Sequence, residues 1–323
     1  MSVSISKEHT IMGSLLFFVV LIQASWALPM STQADDRNIF ILAGQSNMAG
    51  RGGVMNNTAS GIATWDGVVP PQCSPNPSIL RLNAQLEWEE AHEPLHQDID
   101  SKKINGIGPG MAFANTILEK RPGFGVVGLV PCAIGGTNIS EWERGKVLYH
   151  HMMKRVKASL IDGGSIRALL WYQGESDTVN LNDAQSYQRR IHKFFLDVRN
   201  DLQSPLLPII QVALASGEGP YVDIVRQAQL DIDLLNLRTV DAMGLPLEPP
   251  GLHLTTQAQV NLGQMMAHSF LQFVPSSKPG QQVVHPTRNE APTRPYNCAF
   301  YISVKIAWLM PIDQNVQRLN NLL

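Results

Sequence analysis

Ser46 and His253 are the pair of side chains whose types and settings point to nucleophilic catalysis. Ser46 lies in Ile39-Phe40-Ile41-Leu42-Ala43-Gly44-Gln45-Ser46-Asn47-Met48-Ala49-Gly50. There an apolar β-type run stops at Gly44, a polar triplet follows, and small residues then open a helix. A strand ending in so sharp a turn lifts one hydroxyl above the C-terminal edge of a sheet, where open α/β sheets bind ligands. A hydroxyl is a poor nucleophile at its free pKa and needs a neutral imidazole to take its proton. Of the nine histidines, His253, on a loop ahead of a capped helix, has the setting for that base. Charge developing on an attacked carbonyl oxygen calls for N–H donors. The Gly135-Gly136 turn, the Gln173 amide and the Ser46 N–H offer three. The same residues also have plainer uses. Ser46 suits a helix N-cap, the two glycines suit an ordinary turn, and Gln173 or Glu175 could cap the next helix. Spacing leaves both readings open.

The elements that must position these residues follow from periodicity. Apolar runs at Gly125–Pro131, Ile166–Tyr172, Leu207–Leu214 and Arg238–Ala242 read as strands. Helical spacing covers Gly110–Lys120, Tyr149–Ile161, Asp183–Leu202 and Val222–Leu235. Thr256 and Gln259 fit a capping box on a helix reaching Phe273. Strands alternating with helices predict an α/β fold with a parallel sheet covered on both faces and right-handed crossovers. Ser46, Gly135-Gly136, Gln173 and His253 each follow a strand, so all belong to one edge. From Gly50 to Gly110 the chain is rich in Gly, Pro and Asn and reads as long loops with short elements, placed to wall a groove.

The 323 residues are 44% hydrophobic and 16% charged with a net charge of −2, which bounds a globular chain with no basic footprint for nucleic acid. Ile11–Ile22 is apolar apart from Gly13 and Ser14, and Ser25-Trp26-Ala27 is a small-x-small site. Residues 1–27 therefore read as a secretory signal peptide, with no stable membrane association after its cleavage. Residues 28–274 read as the folded domain. Residues 275–323, starting with a Pro-, Gln- and Thr-containing stretch, read as a poorly structured tail. Cys73, Cys132 and Cys298 are too few for a disulfide scaffold, though one pair could bridge. Asn56 and Asn138 head glycosylation acceptor triplets, the second beside the candidate site.

Gly44-Gln45-Ser46-Asn47-Met48-Ala49-Gly50 together with Trp171-Tyr172-Gln173-Gly174-Glu175-Ser176-Asp177 resembles the sialate O-acetylesterase-like carbohydrate esterases of the SGNH hydrolase superfamily, the plant members above all. Trp88–Leu95, Gly108–Ala114 and Leu252–Thr256 support the resemblance, which spans about Asn38–Phe273. It implies a flavodoxin-like three-layer α/β/α sandwich and removal of acetyl groups from sugar hydroxyls through an acetyl-enzyme. It matches Ser46 to the nucleophile, His253 to the base, and Gly136 and Gln173 to oxyanion donors. No cofactor or metal is implied. The partner is an acetylated carbohydrate, and the location is outside the cell or in the cell wall; the resemblance leaves the oligomeric state open. Trp142, Trp171 and Arg144 are candidates to touch the sugar, with core packing the alternative for Trp171.

The chain departs from the family pattern at one place. The Asp expected three residues before the catalytic His is Pro250, in Glu248-Pro249-Pro250-Gly251-Leu252-His253. Proline has no carboxylate to orient the imidazole. Three outcomes stay open: Glu248 (or, less directly, Asp241) substitutes, Ser46 and His253 act as a dyad, or the protein binds sugars without hydrolysing them.

Overall fold

The structure, a computed structural model, describes residues 36–56 and 63–274. The signal segment, the tail, Cys298 and the last two residues of the Asn56-Asn57-Thr58 triplet lie outside the described residues.

In chain order the strands are β1 (Asn38–Gly44), β2 (Val54–Asn56), β3 (Ala63–Trp65), β4 (Ile79–Leu82), β5 (Trp88–Glu90), β6 (Val127–Pro131), β7 (Ser165–Tyr172), β8 (Ile209–Ala213) and β9 (Leu237–Asp241). The α-helices are α1 (Ser46–Ala49), α2 (Pro109–Lys120), α3 (Val147–Ala158), α4 (Leu181–Asp201), α5 (Val222–Leu230) and α6 (Thr256–Leu271). Seven strands form one sheet in the order β5-β4-β6-β1-β7-β8-β9. All neighbours in it are parallel except β5, which pairs antiparallel with β4 at the edge. A parallel sheet carrying one antiparallel edge strand is a common α/β variant. β2 and β3 form a separate antiparallel ribbon. These short strands break the segment after Gly50, where no period is visible in the sequence.

Two aromatic clusters show how the layers close. Phe40 of β1 meets Phe113 of α2 and Phe270 of α6, each with ring centroids 4.9 Å apart, on one face of the sheet. On the other face Trp171 of β7 packs on Phe194 of α4 at 4.6 Å and on Trp142 at 5.3 Å. Alternate residues of a strand point to opposite faces, so the unbroken apolar run Ile39–Ala43 of β1 serves both layers. The result is the three-layer α/β/α sandwich.

β1 is central, with β6 on one side and β7 on the other. After β1 the chain lays down β4 and the edge strand β5, fills the gap beside β1 with β6, and then crosses to the other side of β1 to add β7, β8 and β9, which makes the C-terminal end of β1 a topological switch point. Gly44 ends that strand at φ +133°, and a Cβ there would stand 2.0 Å from the Tyr172 carbonyl oxygen. Glycine alone fits this approach, and it allows the next N–H, of Gln45, to donate to that oxygen at 2.8 Å.

Several boundaries differ from the periodicity. α5 stops at Leu230 instead of running to Leu235. The N-cap of α6 is Thr255, one residue earlier than expected, and its hydroxyl accepts from the Ala258 N–H at 3.2 Å, so the expected Thr256–Gln259 capping box does not form. Gln259 instead donates through its side chain to the Asn47 carbonyl at 3.1 Å. Cys73 and Cys132 are buried free thiols, raised by burial above their ordinary pKa, Cys132 to about 11. Among the described residues no helix is long and apolar enough to cross a membrane.

Candidate active site

Ser46 opens the one-turn helix α1, and Gln45, not Ser46, is its N-cap. The Ser46 hydroxyl is therefore not used in capping. It lies 3.1 Å from Nε2 of His253, which stands on the loop between β9 and α6. That is hydrogen-bond distance between a hydroxyl and an imidazole nitrogen 207 residues apart in sequence, the geometry a nucleophile and its base require. Ser46 is almost fully buried and His253 partly so. Burial, reinforced by the Arg51 guanidinium, lowers the His253 pKa to about 4. The ring is neutral at ordinary pH, which is the state a general base needs.

Arg51 follows directly after α1. It is buried in an ion pair with Asp100 and also donates to Asn105 Oδ1 at 2.7 Å and to the Gly50 carbonyl at 2.9 Å. Asp100 Oδ2 accepts as well from the Gly135 N–H at 3.2 Å, so the pair anchors the glycine turn after β6. Gly135 packs close to Ser46: a Cβ there would meet Ser46 Cβ at 3.4 Å and an Arg51 nitrogen at 2.6 Å. Gly136 has φ +73° and open space around it.

Gln173 is fully buried at the end of β7. Its side-chain nitrogen faces Thr137 O at 2.8 Å, Asp177 Oδ2 at 2.6 Å and Gln45 Oε1 at 3.3 Å. Both amide hydrogens are thus engaged inside the protein. Neither Gln173 nor Glu175 caps α4, whose N-cap is Asn180.

The position before His253 is equally definite. Pro250 is exposed. The Glu248 side chain borders a cleft of about 330 Å3 shared with Arg51, Lys103, Ile104, Leu252 and His253. Its N–H donates to the His253 carbonyl at 2.7 Å, yet among the described residues no hydrogen bond joins its carboxylate to the His253 ring. Asp241 is held in a two-pronged contact with Arg226 at 3.0 and 3.1 Å, which commits it elsewhere. The charge acting on the imidazole is the cation Arg51.

A comparison with known families settles the assignment. Residues 36–272 match the model of a carbohydrate esterase family described as sialic acid-specific acetylesterase. The chain belongs to this family.

A curated relative, a probable carbohydrate esterase of Arabidopsis thaliana, is 56% identical over 234 residues, covering 72% of this chain and 90% of that protein. The X-ray structure of that Arabidopsis protein aligns with TM-score 0.71 at 55% identity, over 73% of this chain and 98% of the other. At 16% identity the crystal structure of NanS (TM-score 0.59, 74% of this chain and 98% of that one) shows the same fold. So does that of a carbohydrate acetylesterase from Xanthomonas citri (TM-score 0.52, 73% and 56%).

Within this carbohydrate esterase scaffold some expected sugar contacts are absent. Trp142 and Trp171 are wholly buried, so neither offers a face to a sugar. Trp142 donates through its indole N–H to Thr137 Oγ1 at 3.1 Å. Arg144 binds Asp201 at 2.8 Å and Asp197 at 3.3 Å. Sequence reasoning missed Arg51, Asp100 and Asn47, all buried polar groups near Ser46. Asn47 had a visible signal, since it is the third member of the polar triplet. Asp100, in an unpatterned loop, had none.

Proposed function

We propose that the protein removes O-acetyl groups from carbohydrate by two-step acyl transfer. The observation that carries this reading is the 3.1 Å contact between Ser46 Oγ and a neutral His253 Nε2 in a member of a carbohydrate esterase family. Ser46 Oγ attacks the acetyl carbonyl carbon while its proton passes to His253 Nε2. The tetrahedral oxyanion takes hydrogen bonds from the Ser46 and Gly136 N–H groups. Ser46 begins a helix, so its N–H is among the first-turn donors without an intrahelical acceptor. The Gly135 N–H is already spent on Asp100, which makes Gly136 the donor of that pair. Gln173 becomes a third donor by exchanging Thr137 or Asp177 for the oxyanion. Collapse expels the sugar alkoxide, which takes the proton from His253. Water activated by the same imidazole then hydrolyses the acetyl-serine, releasing acetate.

Pro250 at the expected carboxylate position reduces turnover, since losing that group from a serine triad costs about 10⁴ in kcat while leaving catalysis above the water rate. A signal peptide at residues 1–27 would deliver the domain to the cell exterior, where acetylated wall polysaccharide or oligosaccharide is the substrate.

A second reading rests on the same departure. Among the described residues no carboxylate hydrogen-bonds the His253 ring, which favours a sugar-binding protein that retains the cleft without turnover. Acetate release from p-nitrophenyl acetate and acetylated xylan separates the two. Turnover by the wild type that is lost in Ser46→Ala supports the esterase. Saturable binding of acetylated xylan with no acetate released by the wild type supports the binder.

A further inference from the structure

The missing carboxylate leaves a physical question: what keeps His253 over Ser46? The peptide groups on both sides of His253 end on one side chain. Asn47 Oδ1 accepts from the Leu254 N–H at 2.9 Å, and Asn47 Nδ2 donates to the Leu252 carbonyl at 3.3 Å. The second hydrogen of Nδ2 donates to Glu175 Oε1 at 2.8 Å. All three groups sit at the sheet edge, on the loops after β1, β7 and β9. Both Asn47 and Glu175 are fully buried. Ser216, after β8, adds a hydrogen bond from its hydroxyl to the Leu252 carbonyl at 2.6 Å.

We propose that Asn47, fixed by Glu175, is the positioning residue that holds the His253 loop in register with the nucleophile, acting through the backbone where the family's carboxylate acts through the ring. The inference rests on the esterase reading for its kinetic consequence but not for its geometry. Asn47 is adjacent to Ser46 on α1, so nucleophile and base share one short frame that does not involve the Glu248 carboxylate. Only an amide can complete this clamp, because it must present one acceptor and two donors at once. Asp at this position would supply no donor and would face Glu175. Leu would leave the Leu254 N–H and Glu175 Oε1 without this partner and the Leu252 carbonyl with Ser216 alone. Gln259, reaching the Asn47 carbonyl at 3.1 Å, fixes the same residue from α6.

The test uses full-length, histidine-labelled protein, with the His253 ring signal identified by its loss in His253→Ala. NMR titration of the wild type places its midpoint near about 4. In Asn47→Ala, and in Glu175→Ala, the loop is released and the midpoint moves toward the free value of 6.5. Glu175→Gln keeps an acceptor for Asn47 Nδ2 and therefore titrates like the wild type. Kinetically, Asn47→Ala lowers kcat about 10- to 100-fold with little change in KM, the scale of a small displacement of a reacting group. It causes no further loss when His253 is already Ala. An Asn47→Ala protein whose His253 titrates as in the wild type overturns the inference, as does a kcat loss that persists in the His253→Ala background. Should Asn47→Ala not fold, the contrast between Glu175→Ala and Glu175→Gln, with Ser216→Ala beside it, decides the question by the same NMR midpoint. A wild type that releases no acetate refutes the esterase reading, and the titration still decides this one.

Discussion

Replacing Pro250 by Asp tests the consequence of the family departure most directly. Pro250 is exposed three residues before His253, so the substitution removes no buried contact. The His253 pKa is now about 4, because burial and Arg51 both oppose a charge on the ring. A carboxylate brought within about 4–6 Å of an imidazole favours its charged form by about 1–3 pH units, which moves the midpoint to about 5–7. The base acts in its neutral form, so kcat/KM is level above the midpoint and falls tenfold per pH unit below it. Wild-type activity should thus hold down to about pH 4. In Pro250→Asp the acid limb should shift upward by about 1–3 units while the plateau kcat rises. The ceiling on that rise is about 10⁴, the cost of losing the carboxylate from a serine triad. Because the backbone of His253 is already clamped, a rise of at least tenfold but short of that ceiling is expected. Initial rates of p-nitrophenyl acetate hydrolysis between about pH 3 and pH 9 measure both quantities at once. A folded Pro250→Asp protein with an unmoved acid limb and an unchanged plateau would refute the reasoning, because position 250 would then not face the imidazole. A limb that moves without any gain in kcat would show that orientation of the base does not limit turnover.

Further outcomes follow from the buried polar groups. Asp100→Asn leaves Arg51 buried beside a neutral group and weakens the anchor of the glycine turn; breaking a buried pair costs about 3–5 kcal/mol, readable as a lower urea midpoint. Trp142→Ala should lose a similar amount, about 3–5 kcal/mol, through the cavity it opens, and affinity for acetylated xylan in the surviving folded fraction should be unchanged. Burial raises Glu175 and Asp177 to about 7, against the hydrogen bonds from Asn47 and Gln173 that lower them. The folded state then holds protons that the unfolded chain has released, so these groups' contribution to stability falls as pH rises from the ordinary carboxylate range to about 7. Glu175→Gln should accordingly flatten the decline of thermal midpoint over that window, and an unchanged slope would contradict the assignment.

Much of the site was legible in the sequence because it obeys local rules. Gly44 must be glycine, a polar triplet must follow it, and strand ends of a parallel sheet gather at one edge. Those rules alone place Ser46, Gly135-Gly136, Gln173 and His253 at one edge of the sheet. The hydrogen-bond duties of Gln173 were not legible, since its acceptors Thr137 and Gln45 come from other strands. Trp142 shows the opposite failure. Its aromatic ring beside a site suggested a sugar platform, whereas its place against Trp171 and Phe194 depends on how α4 covers the sheet.

The sequence by itself determined the sheet-edge architecture, the placement of Ser46 and His253 at that edge and the absence of a carboxylate at position 250, because these depend on residue type and on periodicities that act over a few residues. Tertiary structure alone decided what surrounds His253. A cation at Arg51, an amide clamp from Asn47 and an uncommitted Glu248 come from loops far apart in the chain, and their distances are set by how the strands of one sheet stack side by side.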